Sequence, residues 1–122
     1  MTGVKRYLMV TATLSALLLG GSIGSAVAAE ARVVDGNLWV ASTDAEKRAY
    51  MVGVADTLAL QQAILAKKGV KSPESITRLS DVLQEVTAER AVEEIDNWYE
   101  ANPSRMAAPV LGVVWLSIVE AR

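Results

Sequence analysis

The segment TDAEKRAYMVGVADTLALQQAILAKKG, residues 43–69, decides the fold class of this 122-residue chain. It begins with a capping box, because the Thr43 side chain can accept from the amide of Glu46 while the Glu46 carboxylate returns the bond. It ends at Gly69, the residue type that most easily takes the left-handed conformation after a last helical turn. Lys67-Lys68 places positive charge at the negative end of the helix dipole. The segment therefore predicts one long helix.

Residues 51–65 of this helix are apolar on nearly every side. Such a helix is central in its domain or lies in a subunit interface. One line along it contains Asp56, and we expect this carboxylate to be buried with a structural partner such as Arg78, Arg90 or Arg105, or with free backbone amides. Ligand binding by Asp56 is the alternative. The other members of the line are Ala45, Ala49, Val52, Ala59 and Ala63.

Three further helices follow from their start and stop signals. Ser72-Pro73-Glu74 combines a capping hydroxyl, a proline and an acid in the first turn, so it predicts the start of the second helix. The apolar stripe changes face after Thr87, which we take as the cap of the third helix. Asn102-Pro103 ends that helix, and Pro109 opens the fourth. The expected fold is a small all-α bundle of about four helices.

A short segment, Val33–Val40, precedes the first of these helices. Asp35-Gly36-Asn37 has the composition of a turn, and we expect Trp39 to be an early anchor of the core. No segment after the leader predicts a pair of strands.

Residues 1–29 have the three parts of a secretion signal. Lys5-Arg6 supplies the positive end, Tyr7–Leu19 the apolar run, and Ala26–Ala29 the small residues before a cleavage site. The run is shorter than the roughly 18–20 residues that span a bilayer. We expect cleavage after Ala28 or Ala29, export to the periplasm without a membrane anchor, and a single helical domain over residues 30–122.

The composition excludes several classes of chemistry. The chain has no His and no Cys, so it cannot build an imidazole-based triad, a thiol redox site, a typical zinc site or histidine-ligated haem. The leader holds two of the 12 basic and none of the 14 acidic residues, and an acidic mature chain does not favour nucleic acid as a partner. We expect no catalytic residue, cofactor or metal, and no enzymatic activity.

Two groups of side chains allow a functional interpretation beside a structural one. The predicted third helix has an acidic side, which is either a solvated face or a docking surface for a basic partner. The aromatic residues either form the core or line a pocket. The acidic residues are Glu89, Glu93, Glu94, Asp96 and Glu100, with Arg90 among them, and the aromatic residues are Trp39, Trp98, Tyr99 and Trp115.

The region from Gly36 to Val119 resembles the small exported helical proteins of the Rap/Tai immunity family of type VI secretion. Members of that family commonly carry a cysteine pair, which this chain lacks. The residues that carry the resemblance are Leu38-Trp39, Glu46-Lys47, Tyr50, Gly53, Asp56, Val86-Thr87 and Ile95-Asp96-Asn97-Trp98-Tyr99.

The resemblance implies an all-α periplasmic protein, often a homodimer, that binds and blocks a cell-wall-degrading effector. We therefore expect a non-enzymatic protein that occludes a protein partner through the acidic side of the third helix or an exposed loop. The alternative is a structural or chaperone-like envelope protein, which exposes apolar helix faces when its dimer dissociates.

Overall fold

A computed structural model describes residues 33–122, which form an all-α bundle, as the sequence predicts. The predicted signal sequence, residues 1–29, lies outside the described residues. A 3-10 turn, Pro103–Arg105, separates the last two helices, and the last helix continues into a π-helical turn, Trp115–Val119. The helices are α1 (Gly36–Ala41), α2 (Asp44–Lys67), α3 (Glu74–Glu85), α4 (Ala88–Ala101) and α5 (Val110–Val114).

The predicted signals at the ends of α2 and α4 are confirmed. The Glu46 amide donates to the Thr43 hydroxyl at 3.2 Å, and the Thr43 amide donates to the Glu46 carboxylate at 2.7 Å. The bonds that the Thr43 amide and hydroxyl donate to the Glu46 carboxylate lower the pKa of Glu46. Gly69 has a φ of +67° after α2, and the Thr87 hydroxyl accepts from the Arg90 amide at the start of α4. These signals act locally, so the chain around them specifies the boundaries.

Two local predictions are wrong. Asp35-Gly36-Asn37 is not a free turn, because the Asp35 carboxylate accepts from the Leu38 amide at 3.0 Å and so caps α1. Ser72 does not cap α3: Pro73 occupies the capping position, and no side chain bonds the first amides. The Ser72 hydroxyl is buried without a hydrogen-bond partner among residues 33–122.

Backbone hydrogen bonds attach the start of α1 to the segment that leads into α5. The Gly36 amide donates to the Met106 carbonyl, and the Val110 amide donates to the Val34 carbonyl, both at 2.8 Å. They flank an isolated antiparallel bridge between Asp35 and Pro109. This short pairing holds the N-terminal end of the described region against its C-terminal third.

The centre of the bundle is α5 with its π-helical turn, rather than α2. Of the 24 residues of α2, only Lys47, Met51 and Leu58 are buried, so the first of the two predicted alternatives, a central helix, is wrong, and a subunit interface stays a prediction. The reason is that α2 is apolar all round, and periodicity could not indicate which side packs. The remaining buried apolar residues are Trp39, Leu83, Ala91, Val92, Ile95, Tyr99, Val110, Val113, Val114, Ile118 and Val119.

Within the described region, α2 is also the helix whose length and composition suit a membrane span. Only 11% of its most apolar 18-residue window is buried. This helix therefore exposes a large apolar surface, and surfaces of this kind are typical of interaction sites.

The phenol of Tyr99 makes the fold sensitive to alkaline pH. Its side chain is 2% exposed and its hydroxyl donates to the Ala108 carbonyl at 2.6 Å. Burial, with a contribution from the Asp35 charge, raises the pKa of Tyr99 to about 12. An unfolded tyrosine ionises near pH 10, so this stabilisation is complete below pH 10 and is lost as the pH rises to 12.

We therefore expect the free energy of unfolding of the wild type to fall, relative to that of Tyr99→Phe, by about 2–3 kcal/mol between pH 10 and 12. Urea titrations of both proteins across this range measure the difference. The Tyr99→Phe variant is the control for lysines and other groups that titrate in the same interval. A constant difference would contradict the assignment.

Candidate functional site

A partly buried ion pair between α2 and α4, bonded also by a side chain of α1, forms the centre of the site. The ammonium of Lys47 on α2 lies 2.9 Å from Oδ1 of Asp96 on α4, and the Trp39 indole of α1 donates to the same oxygen at 2.7 Å. Lys47 also lies 5.6 Å from the centre of the Trp39 ring, within the range of a cation–π contact. The Lys47 side chain is 10% exposed and that of Asp96 38%. The pair therefore fixes Asp96 at the boundary between core and solvent.

An open groove of about 310 Å³ lies over this carboxylate, between the start of α2 and the middle of α4. The two donors to Asp96 among residues 33–122 both bond Oδ1, so Oδ2 has no donor in this region. The groove contains four carboxylates and one guanidinium, which gives it a negative character. Its lining residues are Asp44, Arg48, Glu89, Val92, Glu93, Asp96 and Asn97.

The acidic side of α4 is thus divided between internal pairs and the groove. Arg90 pairs with Glu93 at 3.1 Å and with Glu94 at 3.0 Å, and their charges raise the pKa of Arg90. Such exposed pairs on a helix contribute only about 0.3–0.5 kcal/mol each. Glu89 is exposed and forms no salt bridge in the described region, so it carries an uncompensated charge at the groove.

No family model, curated protein or solved structure matches this chain. The resemblance to Rap/Tai immunity proteins accordingly stays a prediction that rests on the residues given above.

The prediction for Asp56 is wrong, because this residue is exposed. The buried line of α2 runs through Lys47, Met51 and Leu58, and Asp56 lies about 140° around the helix from Met51. None of the three suggested arginines pairs with it. Arg78 donates to the Val119 carbonyl at 3.1 Å, Arg90 pairs on α4, and Arg105 lies over the Trp98 ring at 4.9 Å.

Most of the aromatic side chains belong to the core. Of the two alternatives, core or pocket, the structure therefore favours the core. Trp39 and Tyr99 are 1% and 2% exposed, and Trp98 packs edge-on against Tyr99 with ring centres 5.3 Å apart. Trp115 is half-buried and borders a small open groove of about 270 Å³ with α3. Trp98 and Tyr99 thus pack on each other, and none of the grooves described here is lined by more than one of the four rings.

Among residues 33–122 no group of three or more carboxylates is placed to hold a metal ion. The acidic side predicted from the sequence includes Glu89, Glu93 and Asp96 of this site. No site role was predicted for Lys47, Asp44 and Arg48, which come from α2. The sequence carried no signal for Lys47, because α2 is apolar all round and only the structure shows that the line of Lys47 and Met51 turns inward.

Proposed function

We propose that this protein is a non-enzymatic binding protein of the bacterial periplasm, which occludes a protein partner through the acidic groove between α2 and α4. The observation that carries the proposal is the way Asp96 is held: Lys47 and Trp39 both bond Oδ1 of this groove-lining carboxylate, and Oδ2 has no donor among residues 33–122. A carboxylate held in place in this way loses little freedom when it accepts a bond from a partner.

The partner that fits is a protein with a lysine or arginine side chain at its contact surface. Asp44, Glu89 and Glu93 line the groove that such a cation would enter, and Arg48 is the one basic residue in its lining. An inhibitor of this kind needs complementary shape and charge and no reactive group. A secreted cell-wall-degrading effector, the partner that the family resemblance implies, is the specific candidate.

The test is a deletion strain challenged with a co-encoded cell-wall hydrolase. We expect the strain to become sensitive, the wild-type gene to restore resistance, and the periplasmic protein to begin at residue 29 or 30 by mass. The Glu89→Lys/Glu93→Lys protein should bind the hydrolase about tenfold or more weakly and fail to protect, because like charges then meet in the groove.

The matched control is Glu85→Lys/Glu100→Lys, which changes the charge equally at exposed positions outside the groove. It should protect as the wild type does. Equal loss in both variants would mean that overall charge, rather than the groove, determines binding. A deletion strain that resists every co-encoded effector would remove the proposal.

The exposed apolar face of α2 favours a second function, that of a chaperone-like envelope protein. Leu60 and Val52 are 62% and 49% exposed, which is surface that an unfolded client can cover. The two functions are separable: groove variants would leave protection of an aggregating client at low pH unchanged, whereas Leu60→Asp would reduce it.

A further inference from the structure

A pocket of about 240 Å³ opens where α2 packs against α3 and α4. Its floor belongs to the core, because Met51, Leu83 and Ala91 are buried. Of the eight residues that line it, seven are apolar and the eighth is Asp56. None of the eight lines the acidic groove. We call this space the Asp56 pocket, and its lining includes Met51, Ala55 and Asp56 of α2, Leu83 of α3, and Ala88 and Ala91 of α4.

Small side chains leave the Asp56 pocket unfilled. Ala55 of α2 and Ala88 and Ala91 of α4 contribute only methyl groups to its wall. Protein interiors are normally packed as densely as organic crystals, and atoms that border an empty space lose part of their dispersion energy. An apolar group that enters the pocket restores these contacts and removes its own surface from water. The pocket therefore suits the apolar part of a ligand.

Asp56 has no structural role that explains its presence at the opening of the pocket. It is exposed, and as the thirteenth of the 24 residues of α2 it lies too far from either end to benefit from the helix dipole. Aspartate is also one of the weaker helix formers. No salt bridge among residues 33–122 includes Asp56, and no cationic side chain lines the pocket. The carboxylate is therefore available to the cation of a ligand.

We propose that the Asp56 pocket binds a small monoamine, with its alkyl or aryl group between the three helices and its ammonium on the Asp56 carboxylate. An amine is protonated at neutral pH, and the single carboxylate of the lining complements its charge. Alcohols lack this charge, and carboxylic acids carry the opposite one. Sugars fit poorly, because no lining side chain other than that of Asp56 forms hydrogen bonds.

The position of Asp56 distinguishes a free amine from a lysine side chain of a protein. The carboxylate lies at the opening, so the charge of the ligand stays beside solvent while its apolar part points toward Met51 and Leu83. A lysine side chain enters a pocket with its ammonium first, which would place the charge against these buried residues at a high cost in free energy. A diamine has the same disadvantage at its second ammonium.

The volume of the pocket indicates the size of the probe. An apolar cavity of about 150 Å³ admits benzene, so the larger Asp56 pocket suits a chain of about six carbons. n-Hexylamine is titrated into the wild-type protein at neutral pH, and the shifts of the backbone amides are followed by NMR. We expect saturable binding with a dissociation constant on the order of 1 mM. The largest shifts should belong to the amides of Ala55, Asp56, Leu83 and Ala91.

Three related compounds test the charge of the ligand. Hexanol has the same tail without the ammonium and should bind about fivefold more weakly. Hexanoate should show no saturable binding, because its carboxylate meets that of Asp56. Hexamethylenediamine should bind at least about fivefold more weakly than hexylamine, because its second ammonium would have to enter the apolar part of the pocket.

Two variants, each with a matched control, test the residues of the pocket. Asp56→Asn should weaken hexylamine binding about fivefold and leave hexanol binding unchanged. Asp81→Asn makes the same change at an exposed position of α3 outside the pocket and should have no effect. Ala55→Leu should fill the pocket and abolish binding of both compounds, whereas Ala63→Leu, at an exposed position of α2 outside it, should not. Asp56 is exposed, so Asp56→Asn tests the proposal even where Ala55→Leu does not fold.

Three results would overturn the proposal. The first is the absence of saturable hexylamine binding up to about 20 mM. The second is hexanol binding as tightly as hexylamine, or equal losses in Asp56→Asn and Asp81→Asn, which would leave Asp56 without a role. The third is a set of amide shifts at Asp44, Glu89 and Asp96 instead, which assigns the cation to the acidic groove. The two sites share no lining residue, so these results are independent of the protein partner of that groove.

Discussion

Replacing Asp96 with alanine is expected to lower the free energy of unfolding by about 3 kcal/mol, the largest effect of any single charged residue in the bundle. The change leaves the Lys47 side chain, which is 10% exposed, without a counter-ion for its ammonium. Breaking a buried pair from one side costs about 3–5 kcal/mol, and the partial exposure of Asp96 places this case at the lower end. The Trp39 indole loses its acceptor in the same variant.

Removing the other partner of the pair, Lys47, is expected to lower the free energy of unfolding much less. Lys47→Met keeps the aliphatic volume of the lysine stem, and Asp96 remains bonded to Trp39 and partly hydrated, so we expect a loss of about 1 kcal/mol or less. The Lys47→Met/Asp96→Ala double variant should be about 1–2 kcal/mol more stable than Asp96→Ala alone, because no buried charge is then unpaired.

Urea unfolding of the four proteins gives this double-mutant cycle directly. Glu93→Ala is the control, since Glu93 is 59% exposed in its pair with Arg90 and its removal should change stability by about 0.5 kcal/mol or less. Equal losses for Lys47→Met and Asp96→Ala would contradict the view that the cost comes from an unpaired lysine.

The sequence was informative wherever a boundary depends on neighbouring residues. The Thr43 and Glu46 box, the Thr87 cap and the Gly69 stop are bonds or conformations within a few residues, and all were found. Ser72 shows the limit of this reasoning, because its hydroxyl had the right position before a proline and still makes no capping bond. The shift of the capping position to Pro73 depends on how α3 enters the bundle.

Burial of α2 could not be predicted, for a different reason. When a helix is apolar on all sides, its apolar residues are not concentrated on one side, so the sequence does not show which line turns inward. The sequence favoured the line of Asp56, whereas the bundle buries the line of Lys47 and Met51. Which line of α2 is buried depends on residues far away in the sequence, because Trp39 and Asp96 accommodate a lysine only where α1, α2 and α4 meet.

Only the α4 side of the candidate groove could be predicted from the sequence. The acidic residues of α4 follow from helical spacing, but the α2 side of the groove, with Asp44 and Arg48, requires the packing of α2 on α4. The same packing completes the groove with the N-terminal end of α2 and leaves the outward apolar face of this helix exposed.

The second large effect is expected at Gly36, where alanine should destabilise the fold by about 3 kcal/mol. A Cβ at this position would lie 2.4 Å from Cε1 of Tyr99 and 2.8 Å from the Met106 carbonyl oxygen. Neither neighbour can move easily. The Tyr99 hydroxyl is bonded to the Ala108 carbonyl, and the Met106 carbonyl accepts from the Gly36 amide itself. Overpacking of this kind costs about 1–3 kcal/mol or more, which outweighs the gain in helix propensity.

Gly112→Ala provides the comparison, because a Cβ on Gly112 in α5 meets nothing within 4 Å. It should leave stability unchanged or raise it by up to about 1 kcal/mol. Combining Gly36→Ala with Tyr99→Leu should recover part of the loss, since a smaller side chain makes room for the new methyl group. Thermal and urea unfolding of the set measure these differences. A Gly36→Ala protein as stable as the wild type would mean that α1 does not pack against Tyr99, and the attachment of α1 to the residues before α5 would then be wrong as well.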